Sequence, residues 1–161
     1  MSKSYLLTPS RKIVCMAKDA PFWKRLSLTE LSNAQWESLC DGCGKCCLHK
    51  LQDEDTEELV FTSISCQYLD VEACRCKVYK ERTNYVPECL DLRPENLEEI
   101  VPWLPHTCAY RLVYEGEELP SWHPLVCGDT QLIHVQHISV KDKAISECQV
   151  DEDDWQDYII D

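Results

Sequence analysis

The stretch Cys40-Asp41-Gly42-Cys43-Gly44-Lys45-Cys46-Cys47 puts four thiols into eight residues, with two glycines between them. Sulfur at this density reads as a metal-binding knot. Zinc and iron–sulfur centres both need deprotonated thiols at fixed geometry, and C-x-x-C lets a tight turn place two sulfurs on one ion. Gly42 and Gly44 permit backbone conformations that other residues resist, so amide N–H groups can turn toward sulfur. Lys45 adds a positive charge that favours thiolate. Cys46 and Cys47 are adjacent and point in different directions, so sharing one tetrahedral ion would strain them; either two nearby sites or one multinuclear centre relieves this. Three cysteines at successive C-x-x-C steps match the start of a bacterial ferredoxin run, but Cys47 follows Cys46 directly and no proline comes after it.

Upstream, Ser32 with Gln35 forms a capping-box pattern that predicts a short helix through 33–39, with Trp36 and Leu39 facing the core and Cys40 delivered at its end. Downstream, 48–51 and 59–64 flank the polar run 52–58 and predict a β-hairpin returning to Cys66. Asp53-Glu54-Asp55 lacks the glycine and the terminal glutamate of a twelve-residue calcium loop. Between Cys66 and Cys89 apolar residues are sparse while Cys74 and Cys76 intervene. Ordering such a segment costs about 1 to 2 kcal/mol per residue, and structural zinc, worth about 10 to 16 kcal/mol in small peptides, has the magnitude to offset it. Farther on, Pro94 suits the first position of a helix over 94–100 that Pro102 and Pro105 end. Residues 108–112 form another short element, 122–126 a packed extended segment, and 132–140 a β-rich terminal strand. The fold class expected is a small, irregular α+β domain, with short helices and β-hairpins organised around a cysteine-thiolate metal centre.

The chain has 161 residues, enough for one domain with a modest core, and its twelve cysteines replace part of that core. We expect a flexible extension over 1–20, containing Cys15 as a free thiol and Met16 as a candidate start, a metal-binding domain over 21–148, and a solvated acidic tail over 149–161. The only apolar run near the N-terminus, Tyr5-Leu6-Leu7, falls short of a secretion signal, and no stretch reaches the length of a membrane span. The expectation is a cytoplasmic protein with reduced thiols, where cysteine clusters mean metal rather than disulfides or free thiols. A net charge of −13, from 29 acidic against 16 basic side chains, argues against a phosphate backbone as partner, apart from a local patch such as Lys77, Lys80 and Arg82.

Taken together, Cys40-x-x-Cys43-Gly44-x-Cys46-Cys47, Cys66-x-Tyr68-Leu69-Asp70, Cys76-x-x-Tyr79-x-x-Arg82 and Cys89 resemble the YkgJ-type cysteine-cluster superfamily, the zinc- or iron-chelating CxxCxxCC domain. The flanks Phe22-Trp23, Trp36 to Gly44, Asp53 to Thr56, Trp103-Leu104-Pro105, Thr107 to Leu112 and Trp122 to Leu125 look like its bacterial YcgN-like branch, so the resemblance spans about residues 21–140. It implies Cys40, Cys43, Cys46, Cys47, Cys66, Cys74, Cys76, Cys89 and Cys108 as metal ligands. It leaves out Cys15, Cys148 and Cys127, the last standing where serine is expected before Gly128-Asp129. Asp70 and Arg82 fit an ion pair or contacts to the cluster. Histidine is the usual companion ligand, yet His49 is expected to be solvated or capping, His123 packed or hydrogen-bonded, and His134 and His137 to be strand residues; His106, near Cys108, is a further candidate not carried into the ligand set.

No phosphate loop, nucleophile elbow or zincin motif is present, so the sequence supplies no catalytic residue. The expected function is a zinc- or iron-binding cysteine-cluster protein whose metal is largely structural or handled as cargo, with no protein partner identified. The alternative is an iron–sulfur or iron-dependent redox enzyme or electron carrier. Storage of many loosely held ions fits poorly with five tryptophans and seven tyrosines, which argue for an ordered core.

Overall fold

The computed structural model describes residues 20–160. Most of the expected extension, with Cys15 and Met16, lies outside the described residues.

Short helices and short strands alternate. After α1 (Phe22–Arg25) comes α2 (Asn33–Ser38), begun by the predicted capping box: Ser32 Oγ accepts from Gln35 N at 3.3 Å while Gln35 Oε1 accepts from Ser32 N at 3.0 Å. Trp36 and Leu39 are buried, Leu39 completely. The last carbonyls of a helix have no partner within it, and here later segments supply them: Tyr110 Oη donates to Trp36 O at 2.9 Å and His123 Nε2 to Leu39 O at 2.9 Å. Because His123 Nδ1 accepts from Leu125 N at 3.0 Å, the proton belongs on Nε2.

The hairpin is as predicted. Strand β1 (Leu48–Gln52) pairs antiparallel with β2 (Leu59–Ser65), and Asp53 Oδ1 accepts from Asp55 N and Thr56 N at 2.9 and 2.8 Å to close the turn. A small ribbon follows, β3 (Leu69–Asp70) against β4 (Arg75–Cys76). Next come α3 (Arg82–Tyr85), α4 (Leu97–Ile100), α5 (Ala109–Glu115), α6 (Pro124–Cys127) and α7 (Leu132–Val135).

Four expectations change. The helix expected over 94–100 is confined to α4, because Arg93 N donates to Asn96 Oδ1 at 2.9 Å and holds 93–96 in a turn; beyond it Pro102 sits inside a 3-10 turn, Val101–Trp103, instead of ending the element. The extended segment at 122–126 is α6, with the His123 side chain as cap, Pro124 at the first helical position and Gly128 in the left-handed region at φ 74. The strand at 132–140 is α7, which buries only Ile133 and then turns through His137 at φ 57. The acidic segment keeps its carboxylates in solvent but is structured: a 3-10 helix, Glu152–Tyr158, leads into β6 (Ile159–Ile160), which pairs antiparallel with β2, while β5 (Ile145–Ser146) pairs parallel with it. Thus β1 covers one edge of β2, and β5 and β6 share the other.

Two apolar clusters result. The larger gathers Trp36, Leu39, Leu97, Val101, Leu104, Ala109, Tyr110 and Leu119 from the helices. The smaller holds Leu48, Leu69, Cys74 and Val140 beneath the hairpin and ribbon. Between them runs the cysteine stretch.

Candidate metal centre

Residues 40–47 leave the larger cluster and enter the smaller one through two left-handed glycines, Gly42 at φ 78 and Gly44 at φ 76. Gly44 also has no room for a side chain: a Cβ there would lie 2.7 Å from Val140 Cγ2. Val140 N donates to Cys43 O at 2.9 Å, fastening the loop to the C-terminal half. This path turns amide N–H groups onto sulfur. Gly42 N–H favours the Cys40 thiolate and Lys45 N–H that of Cys43; elsewhere Tyr68 N–H does the same for Cys66, and Arg111 and Tyr110 N–H for Cys108.

Five thiols line one cavity of ≈ 460 Å³: Cys46, Cys47, Cys66, Cys76 and Cys89. The hairpin register brings two of them side by side, with Cys66 N donating to Cys47 O at 2.9 Å, and the β3–β4 ribbon presents Cys76 opposite Leu69. The neighbouring Cys47 thiol holds Cys46 down to about 7 and is itself raised; the Lys50 ammonium also favours the Cys46 thiolate. Cys46 keeps access to solvent through the cavity mouth although protein surrounds it closely. Burial raises Cys66 and Cys89, partly countered at Cys89 by Arg82. Cys40, Cys43 and Cys108 do not line the cavity but lie close enough to Cys46 and Asp41 to be raised by both, after desolvation by the surrounding protein, which takes Cys108 and also Cys40, an exposed residue, up to about 12. Among the described residues no three His, Cys, Asp or Glu side chains converge on a single ligating point.

Cys74 is placed differently from its neighbours. At φ 51 it turns inward, 4% exposed, into the smaller apolar cluster, and its thiol donates to Val71 O at 3.5 Å. Cys127 is exposed on α6, where its sulfur exchanges hydrogen bonds with Trp122 and Asp129. Arg82 does form an ion pair, but with Asp91 at 2.8 Å, while Asp70 accepts from Ala73 N at 3.0 Å to hold the ribbon turn. Lys45, expected to favour thiolate, lines separate cavities on the Leu48 and Ile160 side, and Lys50 is the lysine beside the sulfurs. His134 Nδ1 bonds to Ser139 Oγ at 2.7 Å, and His106 borders the cavity next to Lys45.

Several residues of the site escaped sequence reasoning. Glu147 bridges β1 and the segment that follows β2: Oε1 accepts from Gln67 N and Oε2 meets His49 Nε2, both at 2.7 Å. Trp155 stacks on His49 with ring centroids 4.3 Å apart and joins the cavity wall. Cys148 lies near enough to Cys66 to raise its thiol. Asp41 is 7% exposed; Oδ1 accepts from Cys43 N at 2.9 Å, whereas Oδ2 is buried with no partner among the described residues.

The donors fit a soft cation. Thiolates select zinc, copper(I) and iron–sulfur centres over hard ions. An unpartnered buried carboxyl oxygen costs about 1 to 3 kcal/mol or more, and a cation among the neighbouring thiols would relieve it. Lys50, Arg75 and Arg82 stand near the thiols and offset part of the charge that thiolates would bring.

Comparison with known proteins agrees with this chemistry. Residues 39–109 match the family described as "CxxCxxCC: Putative zinc- or iron-chelating domain". A UPF0260 protein of Pseudomonas aeruginosa is 54% identical over 144 residues, covering 89% of this chain and 96% of its own. One from Pectobacterium carotovorum is 52% identical over 142 residues, 88% of this chain and 94% of its own, and the UPF0260 protein YcgN of Salmonella newport is 50% identical over 145, at 90% and 93%. No solved structure matches. With half its residues shared along nearly the whole length of these relatives, and the cysteine-rich span inside the matched domain, the chain belongs to the UPF0260 family and carries its CxxCxxCC domain.

Proposed function

We propose that the protein is a zinc- or iron-binding protein in which cysteine-held metal builds the region between Cys40 and Cys108 and is kept there structurally or handled as cargo. The observation that carries this reading is the shared cavity of Cys46, Cys47, Cys66, Cys76 and Cys89, drawn from separate places along the chain. Cys40, Cys43 and Cys108 add to the donor set from the helical side, and Cys74 supports the apolar floor. The bound metal would supply charge neutralisation and cross-linking; the chain supplies ligands, N–H donors and the Lys50 and Arg82 counter-charges. Reduced thiols on this scale suit the cytoplasm, and no helix among the described residues is long and apolar enough to cross a membrane.

A second reading, an iron–sulfur or iron-dependent redox protein, is favoured by the N–H groups aimed at Cys40, Cys43, Cys66 and Cys108, since hydrogen bonds to sulfur tune the potentials of such centres. Metal and acid-labile sulfide analysis of anaerobically isolated protein separates the two. Colourless protein with stoichiometric zinc supports the first; brown protein with iron and sulfide supports the second. Protein isolated without oxygen that retains no metal and takes up none overturns both.

A further inference from the structure

We propose that the adjacent pair Cys46–Cys47 divides the thiols between two four-thiol metal centres, Cys40, Cys43, Cys46 and Cys108 in one, Cys47, Cys66, Cys76 and Cys89 in the other. The proposal rests on the metal-binding reading above and adds to it the number of ions and the allocation of ligands.

Three observations carry the division. First, the cavity separates the thiols. Cys47, Cys66, Cys76 and Cys89 all line it, whereas Cys40, Cys43 and Cys108 stand outside, and of the outer residues' thiol neighbours only Cys46 also reaches the cavity. Second, the backbone separates them. Cys40, Cys43 and Cys46 lie on one continuous run of C-x-x-C steps through Gly42 and Gly44, and Cys108 comes to it on the residue before α5, whose Tyr110 is tied to Trp36 O just ahead of Cys40. Cys47 is instead fixed by the hairpin, its carbonyl accepting from Cys66 N at 2.9 Å. A peptide bond thus joins Cys46 of one set to Cys47 of the other.

Third, the outer set has its own sign of a missing cation. Asp41 is 7% exposed; Cys43 N donates to Oδ1 and the Cys43 thiol reaches the carboxyl, yet Oδ2 is buried without a hydrogen-bond partner among the described residues, and the carboxyl's neighbours are Cys40, Cys43, Cys46 and Cys108. Burying an acceptor without a donor or a cation is unfavourable. Among the described residues no lysine or arginine hydrogen-bonds to it; Arg75 passes beside Gly42 and favours the Cys40 thiolate. A cation bound by the four outer thiols lies where that oxygen needs charge. The inner thiols, with Lys50 and Arg82 on the cavity wall, have no such orphaned carboxyl beside them. One ion at the inner set therefore leaves the outer carboxyl uncompensated, and two ions account for both. Four thiols each is the number that closes a tetrahedral structural site.

The test uses the full chain, prepared anaerobically and loaded with Co2+, whose thiolate charge-transfer bands report sulfur ligation, with ions counted by native mass spectrometry. The expected result is two ions per wild-type chain and one in each of Cys40→Ser and Cys89→Ser, with the two variants retaining different halves of the spectrum. A wild-type count of one, or loss of all metal in both variants together, overturns the division in favour of a single shared centre while leaving metal binding intact. A wild-type chain that binds no Co2+ overturns the metal-binding reading and this proposal with it. Partly loaded wild-type protein separates the two arrangements without a substitution: iodoacetamide protection should arise in correlated fours, and protection spread across both sets in one step overturns the proposal.

Discussion

The helical side of the molecule and the hairpin side solve the same problem with different means. Around α2 and α5, eight buried residues pack into a continuous core, with partly buried Phe22, Trp23, Leu28 and others against it, and Tyr110 and His123 close the end of α2 by hydrogen bonds. Beneath the hairpin and ribbon the buried cluster has only four members, one of them Cys74. The difference teaches where the proposed metal would matter for folding. A core of Leu, Trp and Tyr side chains stands on transfer free energy, each fully buried large side chain contributing about 1.5 to 3 kcal/mol. A four-member core beneath short strands and turns does not reach the ordering cost of the residues around it, and the proposed metal cross-links through sulfur would supply the rest.

Metal removal should break this comparison open most widely. Chelation, or Cys89→Ser, is expected to release backbone amides over 66–92 by about a hundredfold or more in hydrogen exchange while α2 and α5 keep their protection; equal loss on both sides would show that the two regions fold as one unit. Truncating the other core comes next. Leu39→Ala, at a fully buried position, should cost about 2 to 5 kcal/mol in urea unfolding, chiefly on the helical side, and an effect below about 1 kcal/mol would mean that the helical core is not what holds Cys40.

The loop between the regions gives an intermediate effect. Gly44→Ala combines a left-handed φ of 76 with a Cβ 2.7 Å from Val140 Cγ2 and should cost about 2 to 3 kcal/mol, whereas Gly116→Ala, at φ 76 with nothing within 4 Å, should cost about 1 kcal/mol. Equal melting shifts in the two variants would show that Val140 yields freely. The smallest effect expected is that of Glu147→Gln. It weakens the bridge between His49 and Gln67 by about 1 kcal/mol, lowering the melting temperature slightly and loosening the hairpin side alone.

What could be read from the sequence followed the range of the interaction. Ser32 with Gln35 is a local device, and the hairpin is defined by its own turn residues, so both were legible. So too, in principle, was α6: His123 as cap, Pro124 at the first helical position and Gly128 beyond the end are helix signals that the neighbouring Trp122, Leu125 and Val126 obscured. Residues 132–140 carry enough Ile and Val to suggest a strand, but Ile133, Ser139 and Val140 are buried around a turn in which Ile138 N and Ser139 N both donate to Ile133 O. Cys74 and Cys76 enter the ligand set alike, on the resemblance, but the positive φ of Cys74 turns it into the smaller apolar cluster. Glu147, Cys148 and Trp155 could not have been found this way, because their contacts cross most of the chain. Asp41 lies inside the motif itself, but its burial depends on the tertiary fold, which also brings the distant Cys108 near it.

Strand β2 has one edge covered by β1, its immediate predecessor, and the other by β5 and β6, which come from the far end of the described chain. Direction of synthesis therefore matters to this sheet. As the polypeptide leaves the ribosome the hairpin can form early, yet it carries an open row of amides and carbonyls until the final strands emerge, and such an edge is a template for pairing with other chains. The closing pieces are only two residues long each, and they come from far along the chain, so this edge stays open until those segments are made.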